Sequence, residues 1–163
     1  MKRFVRVVLS ALVLSVMLVA CQPTAQYLNN NVTASNLHTD IPLTSHRGEP
    51  LLINSPQKGK VSAVFFGYTQ CPDICPTTLG KMKVVMSQLG ADADKVRVVF
   101  VTVDPERDTQ GVLKEYMAAF NPTFTGAYAD PEHTRQMAKQ FQVVYEKVGS
   151  GPNYIVNHTA NLY

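Results

Sequence analysis

Across residues 65–79 the chain reads FFGYTQCPDICPTTL, with two cysteines placed just after an apolar segment. The apolar residues before Gly67 predict a strand, and Pro76 is typical of the first turn of a helix. A spacing of four places the sulfurs of Cys71 and Cys75 on the same side of one turn. Unpaired amide groups at a helix start favour a thiolate over a thiol and lower its pKa. Such a pair can form and break a disulfide, or bind a soft metal ion.

A structural disulfide between Cys71 and Cys75 is the alternative, since disulfides persist in oxidising compartments. A bond between residues four apart closes a very small loop and constrains the unfolded chain little. It would therefore add little stability. We favour a chemical role for the pair.

Strand and helix patterns alternate around this motif. We predict a hairpin at 41–53, strands at 61–67, 96–102, 143–148 and 154–157, and helices at about 77–89, 110–120 and 131–140. Thr109 and Asp130 have the character of N-caps, and Gly90 that of a helix stop. Strands that alternate with helices imply parallel pairing through right-handed crossovers, so the predicted fold class is α/β.

The first twenty residues have the pattern of a secretory signal. A basic start precedes an apolar segment over 7–20, which is short for a membrane-spanning helix. The segment runs into LVAC at 18–21, which resembles a bacterial lipobox, so Cys21 is predicted to be lipidated and to become the new N-terminus. An uncleaved anchor with an incidental cysteine is the alternative. Both place the bulk of the chain outside the cytoplasm and tethered to a membrane, on the periplasmic side in a Gram-negative cell.

Residues 21–36 are predicted to form a flexible tether, because they are polar and show no periodicity. Residues 37–163 are predicted to form one domain. The signal segment holds three of the fifteen basic residues and none of the twelve acidic ones, so the remainder carries twelve charges of each sign. That balance gives no indication of nucleic acid as a partner.

Four further motifs follow one another along the chain: FGYT at 66–69, CPDICPTT at 71–78, VDPERDT at 103–109 and YIVNHT at 154–159. Together they closely resemble the Sco/SenC family, and the similarity runs from about residue 41 to the end. The resemblance implies a thioredoxin-like fold, with a central mixed sheet flanked by helices. Thioredoxins themselves have two residues between their cysteines, whereas three separate Cys71 and Cys75.

The resemblance also implies a copper site. The family's metal ligands are the two motif cysteines and one histidine, which correspond to Cys71, Cys75 and His158. Thiolates suit Cu(I), and an added imidazole also tolerates Cu(II). The implied function is a membrane-tethered copper chaperone that delivers copper to, or prepares, the binuclear copper site of cytochrome c oxidase.

The partners implied are the copper-site subunit of that oxidase, other copper chaperones or thiol reductants, and the membrane through the lipid anchor. The main alternative function is a thiol–disulfide oxidoreductase, in which Cys71 and Cys75 act as a redox pair that keeps the client's cysteines reduced. A peroxidase similar to peroxiredoxins and a purely structural lipoprotein are further alternatives.

Polar residues near the cysteines are secondary candidates. Asp73 lies between the thiols and Asp104 follows a strand end, so either can tune a thiol pKa or hydrogen-bond a ligand, with capping or turn formation as the alternative. Residues 106–108 are predicted to be a solvated loop. Three further histidines are predicted to lie at the surface: His38, His46 and His133.

The last residues carry one further expectation. The family's domain continues beyond the point that corresponds to Tyr163, through a partner strand and a closing helix. The resemblance therefore implies a domain that is incomplete at its C-terminus. We expect an unpaired strand edge, low stability and a loosely held His158.

Overall fold

The computed structural model describes residues 37, 39–54 and 60–163. The predicted signal segment, the predicted lipidation site at Cys21, the tether to residue 36 and His38 lie outside these residues. Within the described part of the chain, no helix combines the length and the apolar character needed to cross a membrane.

Strands and helices alternate through most of the described chain. The elements are β1 (Leu43–Ser45), β2 (Pro50–Leu51), β3 (Val61–Gly67), α1 (Ile74–Leu89), a 3₁₀ segment (Gly90–Lys95), β4 (Val96–Thr102), α2 (Gln110–Phe120), β5 (Thr125–Tyr128), α3 (Pro131–Gln140), β6 (Tyr145–Val148) and β7 (Ile155–His158). The predicted bounds of β3, β4, α2 and α3 are confirmed. Strand β5 is a finding of the structure that the sequence pattern did not predict.

The main sheet has the strand order β2-β1-β5-β4-β3. Strands β3, β4 and β5 are parallel, and Val61 to Gly67 pair in register with Val96 to Thr102. Strand β1 runs antiparallel to both β2 and β5, as in the predicted hairpin. The sheet is therefore mixed, which confirms the predicted fold class.

Apolar runs in the sequence become the centre of the core. Every residue of β4 after its first is buried, because a parallel strand is covered on both faces. Helix α1 contributes Leu79, Met82 and Met86 to the core, and α2 contributes Leu113 and Met117. Each such side chain contributes roughly 1.5–3 kcal/mol when fully buried. Packing, rather than copper ligation, is the role of these methionines.

The helix ends follow the predicted caps, with one shift. The Thr109 hydroxyl accepts a hydrogen bond from the Val112 amide, and the Asp130 carboxylate accepts two at the start of α3. Gly90 ends α1 with a φ of 55°, which favours glycine. Helix α1 begins at Ile74, three residues before its predicted start. Cys75 consequently lies in the first helical turn, whereas Cys71 precedes the helix.

Strands β6 and β7 form a separate two-stranded antiparallel sheet, which we call the histidine hairpin because β7 ends at His158. The sequence predicted two strands here, at 143–148 and 154–157, and the observed bounds differ from these by one or two residues. Its turn contains Gly149 and Gly151, whose φ values of 98° and 74° favour glycine. This hairpin brings the last of the candidate ligands to the cysteines.

The last described residues, for which an unpaired strand edge was expected, contact β3. Val64 and Tyr163 exchange two backbone hydrogen bonds of 2.8 and 2.9 Å on the outer side of β3. The Tyr163 ring packs edge-on against Phe66 and Phe141. The final described residues therefore pair with β3 and cover part of the apolar face beside it.

Candidate metal centre

Three side chains converge where β3 meets α1. The sulfurs of Cys71 and Cys75 and a ring nitrogen of His158 all lie within 4.8 Å of one another. The His158 Nε2 is 3.3 Å from the Cys75 Sγ. Cys75 is fully buried, Cys71 is nearly so, and His158 is half-buried. The two cysteines thus meet a histidine that is more than eighty residues away in sequence.

Both cysteine side chains are free thiols. Burial raises the pKa of the Cys75 thiol, because desolvation penalises the thiolate, and the neighbouring Cys71 raises it further. The sequence-based prediction that the helix start lowers the thiol pKa is therefore wrong for Cys75. Burial outweighs the favourable backbone hydrogen bond at Tyr68. A positive ion bound to this sulfur would remove the penalty, because a coordinating thiol is deprotonated outright.

Gly67 makes room for the Cys75 sulfur. A Cβ atom at this position would lie 2.5 Å from the Cys75 Sγ and 2.9 Å from Cε2 of Phe100. Neither neighbour can retreat easily, since both side chains are fully buried. The sequence pattern indicated Gly67 only as the end of a strand, and the close approach is a finding of the structure.

The orientation of the His158 ring suits ligation through Nε2. Its Nδ1 lies 3.0 Å from the Thr159 carbonyl oxygen and donates a hydrogen bond to it. Because Nδ1 carries the proton, Nε2 keeps its lone pair, and Nε2 is the atom that faces Cys75. The rings of Tyr68 and Phe65 pack edge-on against the imidazole, with distances of 5.8 and 6.3 Å between ring centroids. These aromatic contacts hold the ring between the core and the thiols.

A cavity of about 270 Å³ opens beside the site. Its lining residues are Tyr68, Cys71, Pro72, Asp73, Ile74, Ile155, Val156, Asn157 and His158. Cys71 and His158 line this cavity, whereas Cys75 does not. The rim carries two partly exposed apolar side chains, Ile74 and Ile155. An incoming group therefore reaches Cys71 and His158 first.

The two candidate aspartates take different positions. Asp73 lines the cavity, is exposed, and accepts a long hydrogen bond of 3.4 Å from the Thr77 hydroxyl. Asp104 is fully buried and accepts hydrogen bonds from Arg107 at 2.5 Å and from the Tyr154 hydroxyl at 2.6 Å. The structure records no hydrogen bond from either carboxylate to a thiol. Their predicted effect on the thiols stays a prediction.

The loop at 106–108 is only partly the solvated segment that its charges predicted, because Glu106 is exposed whereas Asp108 is buried. Asp108 is buried and accepts hydrogen bonds from the Thr69 amide, the Thr69 hydroxyl and the Thr102 hydroxyl, at 2.5–3.0 Å. Burial raises the pKa of the Asp108 carboxyl, and these hydrogen bonds oppose that rise. Asp108 thereby ties the loop after β4 to Thr69, near the cysteines. The sequence did offer one indication of this role: Asp108 follows the carboxyl end of β4, and functional residues of α/β proteins usually lie at that edge of the sheet.

The other two histidines among the described residues, His46 and His133, differ in burial. His46 is buried, contrary to the prediction, because its Nδ1 accepts a hydrogen bond of 2.8 Å from the Gly126 amide. Burial, and then the neighbouring Arg47, lower the pKa of His46. His133 lies at the surface as predicted, where it is half-buried and pairs with the N-cap residue Asp130. Neither of these two joins the metal cluster.

The fold and the site define a thioredoxin-like α/β domain with two thiols and an imidazole that can hold a metal ion. Comparison with known proteins gives the family. The chain belongs to the SCO1/SenC family, whose model matches residues 30–163. This confirms the resemblance on which the sequence analysis relied.

Individual relatives agree with this assignment. An SCO2-like protein of Rickettsia felis is 36% identical over an alignment of 146 residues, which covers 87% of this chain and 70% of the relative. The structure of Bradyrhizobium japonicum ScoI with copper bound is 40% identical, with a TM-score of 0.70 over 75% of this chain and 78% of that one. Yeast Sco1 with copper bound is 30% identical, with a TM-score of 0.67 over 75% and 69% of the two chains.

Proposed function

We propose that this protein is a membrane-tethered, extracytoplasmic copper chaperone that delivers copper to, or prepares, the binuclear copper site of cytochrome c oxidase. The observation that carries the proposal is the cluster of Cys71, Cys75 and His158, whose ligand atoms lie within 4.8 Å of one another. Support comes from the family, which serves in cytochrome c oxidase assembly, and from two similar structures that have copper bound.

The donor set fits copper in both oxidation states. Two thiolates suit the soft Cu(I) ion, and the imidazole adds a ligand that Cu(II) prefers. Copper is cargo in this role, so the site has to release it as well as hold it. Cys71 and His158 line the cavity, whereas Cys75 lies behind them. An incoming client thiolate would therefore reach a bound copper ion from the side of Cys71 and His158. The partly exposed Ile74 and Ile155 provide an apolar rim for that client.

A second candidate function is a thiol–disulfide oxidoreductase that keeps the client's copper-site cysteines reduced. It is favoured by the two free thiols and by their unequal exposure. Cys71 is the sulfur nearer the cavity, so it would attack the client disulfide, and Cys75 would then resolve the mixed disulfide. The two electrons pass from the thiol pair to the client, and the protein is left with a Cys71–Cys75 disulfide.

Substitution of His158 by alanine separates the two functions. We expect His158→Ala to weaken Cu(II) binding by at least about tenfold, since a ligand is lost, and to affect Cu(I) less, since both thiolates remain. Competition with chelators specific for each oxidation state measures both affinities on the reduced protein. Reduction of a dithiol client peptide should continue in this variant, because both cysteines are intact.

His133→Ala is the matched control, because His133 pairs with Asp130 at the start of α3 and does not belong to the metal cluster. It should bind copper like the parent protein. Unchanged Cu(II) affinity in His158→Ala would refute the three-ligand site. A parent protein that reduces the client peptide but binds neither form of copper tightly would favour the oxidoreductase.

The anchor is proposed from sequence, through the lipobox-like LVAC at 18–21. Lipid chains bind a bilayer with about 0.8 kcal/mol for each buried CH₂ group, and stable anchoring takes two signals, as in diacylation. Cys21→Ser should therefore move the protein from the membrane fraction to the soluble extracytoplasmic fraction, as seen by immunoblot. Cys71→Ser is the control and should remain with the membrane. Retention of Cys21→Ser in the membrane would contradict lipid anchoring at this residue.

A further inference from the structure

The histidine hairpin is not a strand of the main sheet. Strands β6 and β7 pair with each other and form their own two-stranded sheet. Val156 is the one residue in these two strands that is fully buried. Isolated hairpins are marginally stable in water. The position of His158 relative to the cysteines therefore depends on side-chain contacts between the hairpin and the body of the domain.

Arg107 makes two hydrogen bonds between the hairpin and the body of the domain. Its Nη1 donates hydrogen bonds to the carbonyl oxygens of Tyr154 at 2.8 Å and of Pro152 at 3.3 Å, both in the hairpin turn. Its guanidinium carbon lies 3.5 Å from the centre of the Tyr154 ring. The same Nη1 is 3.0 Å from the side-chain oxygen of Gln70, the residue before Cys71. One side chain thus joins the turn of the histidine hairpin to the cysteine loop.

Asp104 holds the arginine in place from the other side. Its buried carboxylate accepts hydrogen bonds from Arg107 Nε and from the Tyr154 hydroxyl. Arg107, Asp104 and Tyr154 therefore form a closed triangle, which we call the arginine clamp. A lysine lacks the planar fork that reaches several acceptors at once.

The clamp is poorly explained as a device for stability alone. A buried ion pair loses much of its Coulomb energy to desolvation. The Arg107 Nη2 atom is buried without a hydrogen-bond partner among the described residues, and a buried donor without a partner lowers stability. An arrangement that carries these costs and still fixes three groups in one geometry is well suited to positioning.

An ion pair between Glu106 and Lys147 also connects the loop after β4 to strand β6 of the hairpin. The Lys147 ammonium group lies 2.6 Å from Glu106 and 4.9 Å from the centre of the Tyr154 ring. Both side chains of this ion pair are substantially exposed, so it contributes little by itself. It nevertheless places the hairpin on the same loop as the clamp.

We propose that Arg107 is a positioning residue of the metal centre: with Asp104 and Tyr154 it holds the histidine hairpin so that His158 Nε2 stays beside the Cys75 sulfur. The inference rests on the proposed copper function. Without the clamp the two thiolates remain together, because Cys71 and Cys75 are only four residues apart at the start of α1, but the imidazole is no longer held against them. Binding of Cu(II) should therefore suffer more than binding of Cu(I).

The test is a double-mutant cycle between Arg107 and His158. We expect Arg107→Ala to weaken Cu(II) binding by about tenfold, the lower end of the effect of removing a group that orients a ligand. The absorption of the thiolate–Cu(II) complex should shift as the imidazole leaves. In a His158→Ala background, Arg107→Ala should cause no further loss. Arg107→Lys should fail to restore binding, since charge alone cannot replace the fork.

Hydrogen exchange gives a readout that needs no copper. Amides of the β6–β7 ladder should exchange faster in Arg107→Ala, while those of β3 and β4 stay protected. Arg135→Ala is the matched control, because Arg135 is an exposed arginine that pairs only within α3, with Glu132. If Arg107→Ala does not fold, Tyr154→Phe removes a single hydroxyl of the clamp and should produce the same changes in weaker form.

The outcomes are distinguishable. Unchanged hairpin exchange and unchanged Cu(II) affinity in Arg107→Ala, with His158→Ala still impaired, would overturn the positioning role and leave the chaperone proposal intact. If Arg107→Ala reduced the Cu(II) affinity equally in the parent protein and in His158→Ala, the positioning role would also be overturned, because Arg107 would then act independently of His158. A parent protein that binds no copper would defeat the proposed function, while faster hairpin exchange would still establish the mechanical role of the clamp.

Discussion

Replacement of Cys75 by alanine is expected to weaken Cu(I) binding by more than about a hundredfold. The reason is that loss of a group that merely orients a ligand already costs about 10–100-fold, and Cys75 supplies a ligand itself. A single thiolate and an imidazole make a poorer site for Cu(I) than two thiolates. The measurement is competition with a Cu(I)-specific chelator under anaerobic conditions, on the full chain in detergent and with the thiols reduced.

Two controls separate this result from general damage. Cys71→Ala should cause a comparable loss, because its sulfur belongs to the same cluster. Cys21→Ala removes the remaining cysteine of the chain and should leave copper binding unchanged. Thermal unfolding of each variant shows whether the domain is intact, since a buried Cys to Ala change leaves a small cavity. Tight Cu(I) binding by a folded Cys75→Ala protein would contradict the metal centre proposed here.

Replacement of Gly67 by alanine should weaken both the fold and copper binding, although Gly67 is not a ligand. The added Cβ would lie 2.5 Å from the Cys75 Sγ and 2.9 Å from Cε2 of Phe100, so at least one of them has to move. Overpacking of this kind costs about 1–3 kcal/mol in unfolding free energy. Displacement of the sulfur from His158 should also weaken copper binding by at least about tenfold, the scale set by groups that orient a metal ligand.

Gly80→Ala is the matched control for this change. Gly80 lies within α1, and a Cβ there would meet no heavy atom within 4 Å. Alanine should therefore stabilise the helix by roughly 0.5–1 kcal/mol and leave copper binding unaltered. Chemical denaturation and chelator competition on both variants make the comparison. If Gly67→Ala were as stable as the parent and bound Cu(I) equally well, the close packing of Cys75 against this strand would be wrong.

The amino-acid sequence determined the elements whose signals are local. Strands β3 and β4 were predicted with their observed bounds, because continuous apolar runs end at residues that break them. The starts of α2 and α3 were predicted from Thr109 and Asp130, because a cap acts on amides two or three residues away. The family assignment likewise depended on short motifs in a fixed order.

Strand β5 shows where local signals are insufficient. Its residues Thr125–Tyr128 include a glycine and an alanine, so the segment lacks the apolar run of its neighbours. It is a strand because β4 pairs with one edge and β1 with the other. Gly126 in turn lets Leu113 and Met117 of α2 approach closely, with a Cβ there only 3.1 Å from Met117. Such packing is decided by elements distant in sequence.

The tertiary structure alone decided which polar residues serve the site. The charges of residues 106–108 predicted a solvated loop, yet Asp108 is buried, because Thr69 and Thr102 donate hydrogen bonds to it. Asp104 is also buried, and one of its donors is the Tyr154 hydroxyl. Tyr154 is fifty residues from Asp104, and Thr69 is thirty-nine from Asp108. The sequence indicated the candidate ligands and the fold class, because their signals lie in short stretches of neighbouring residues. The burial that raises the Cys75 pKa and the clamp on the histidine hairpin arise only when distant segments meet, since desolvation and hydrogen bonding depend on proximity in space.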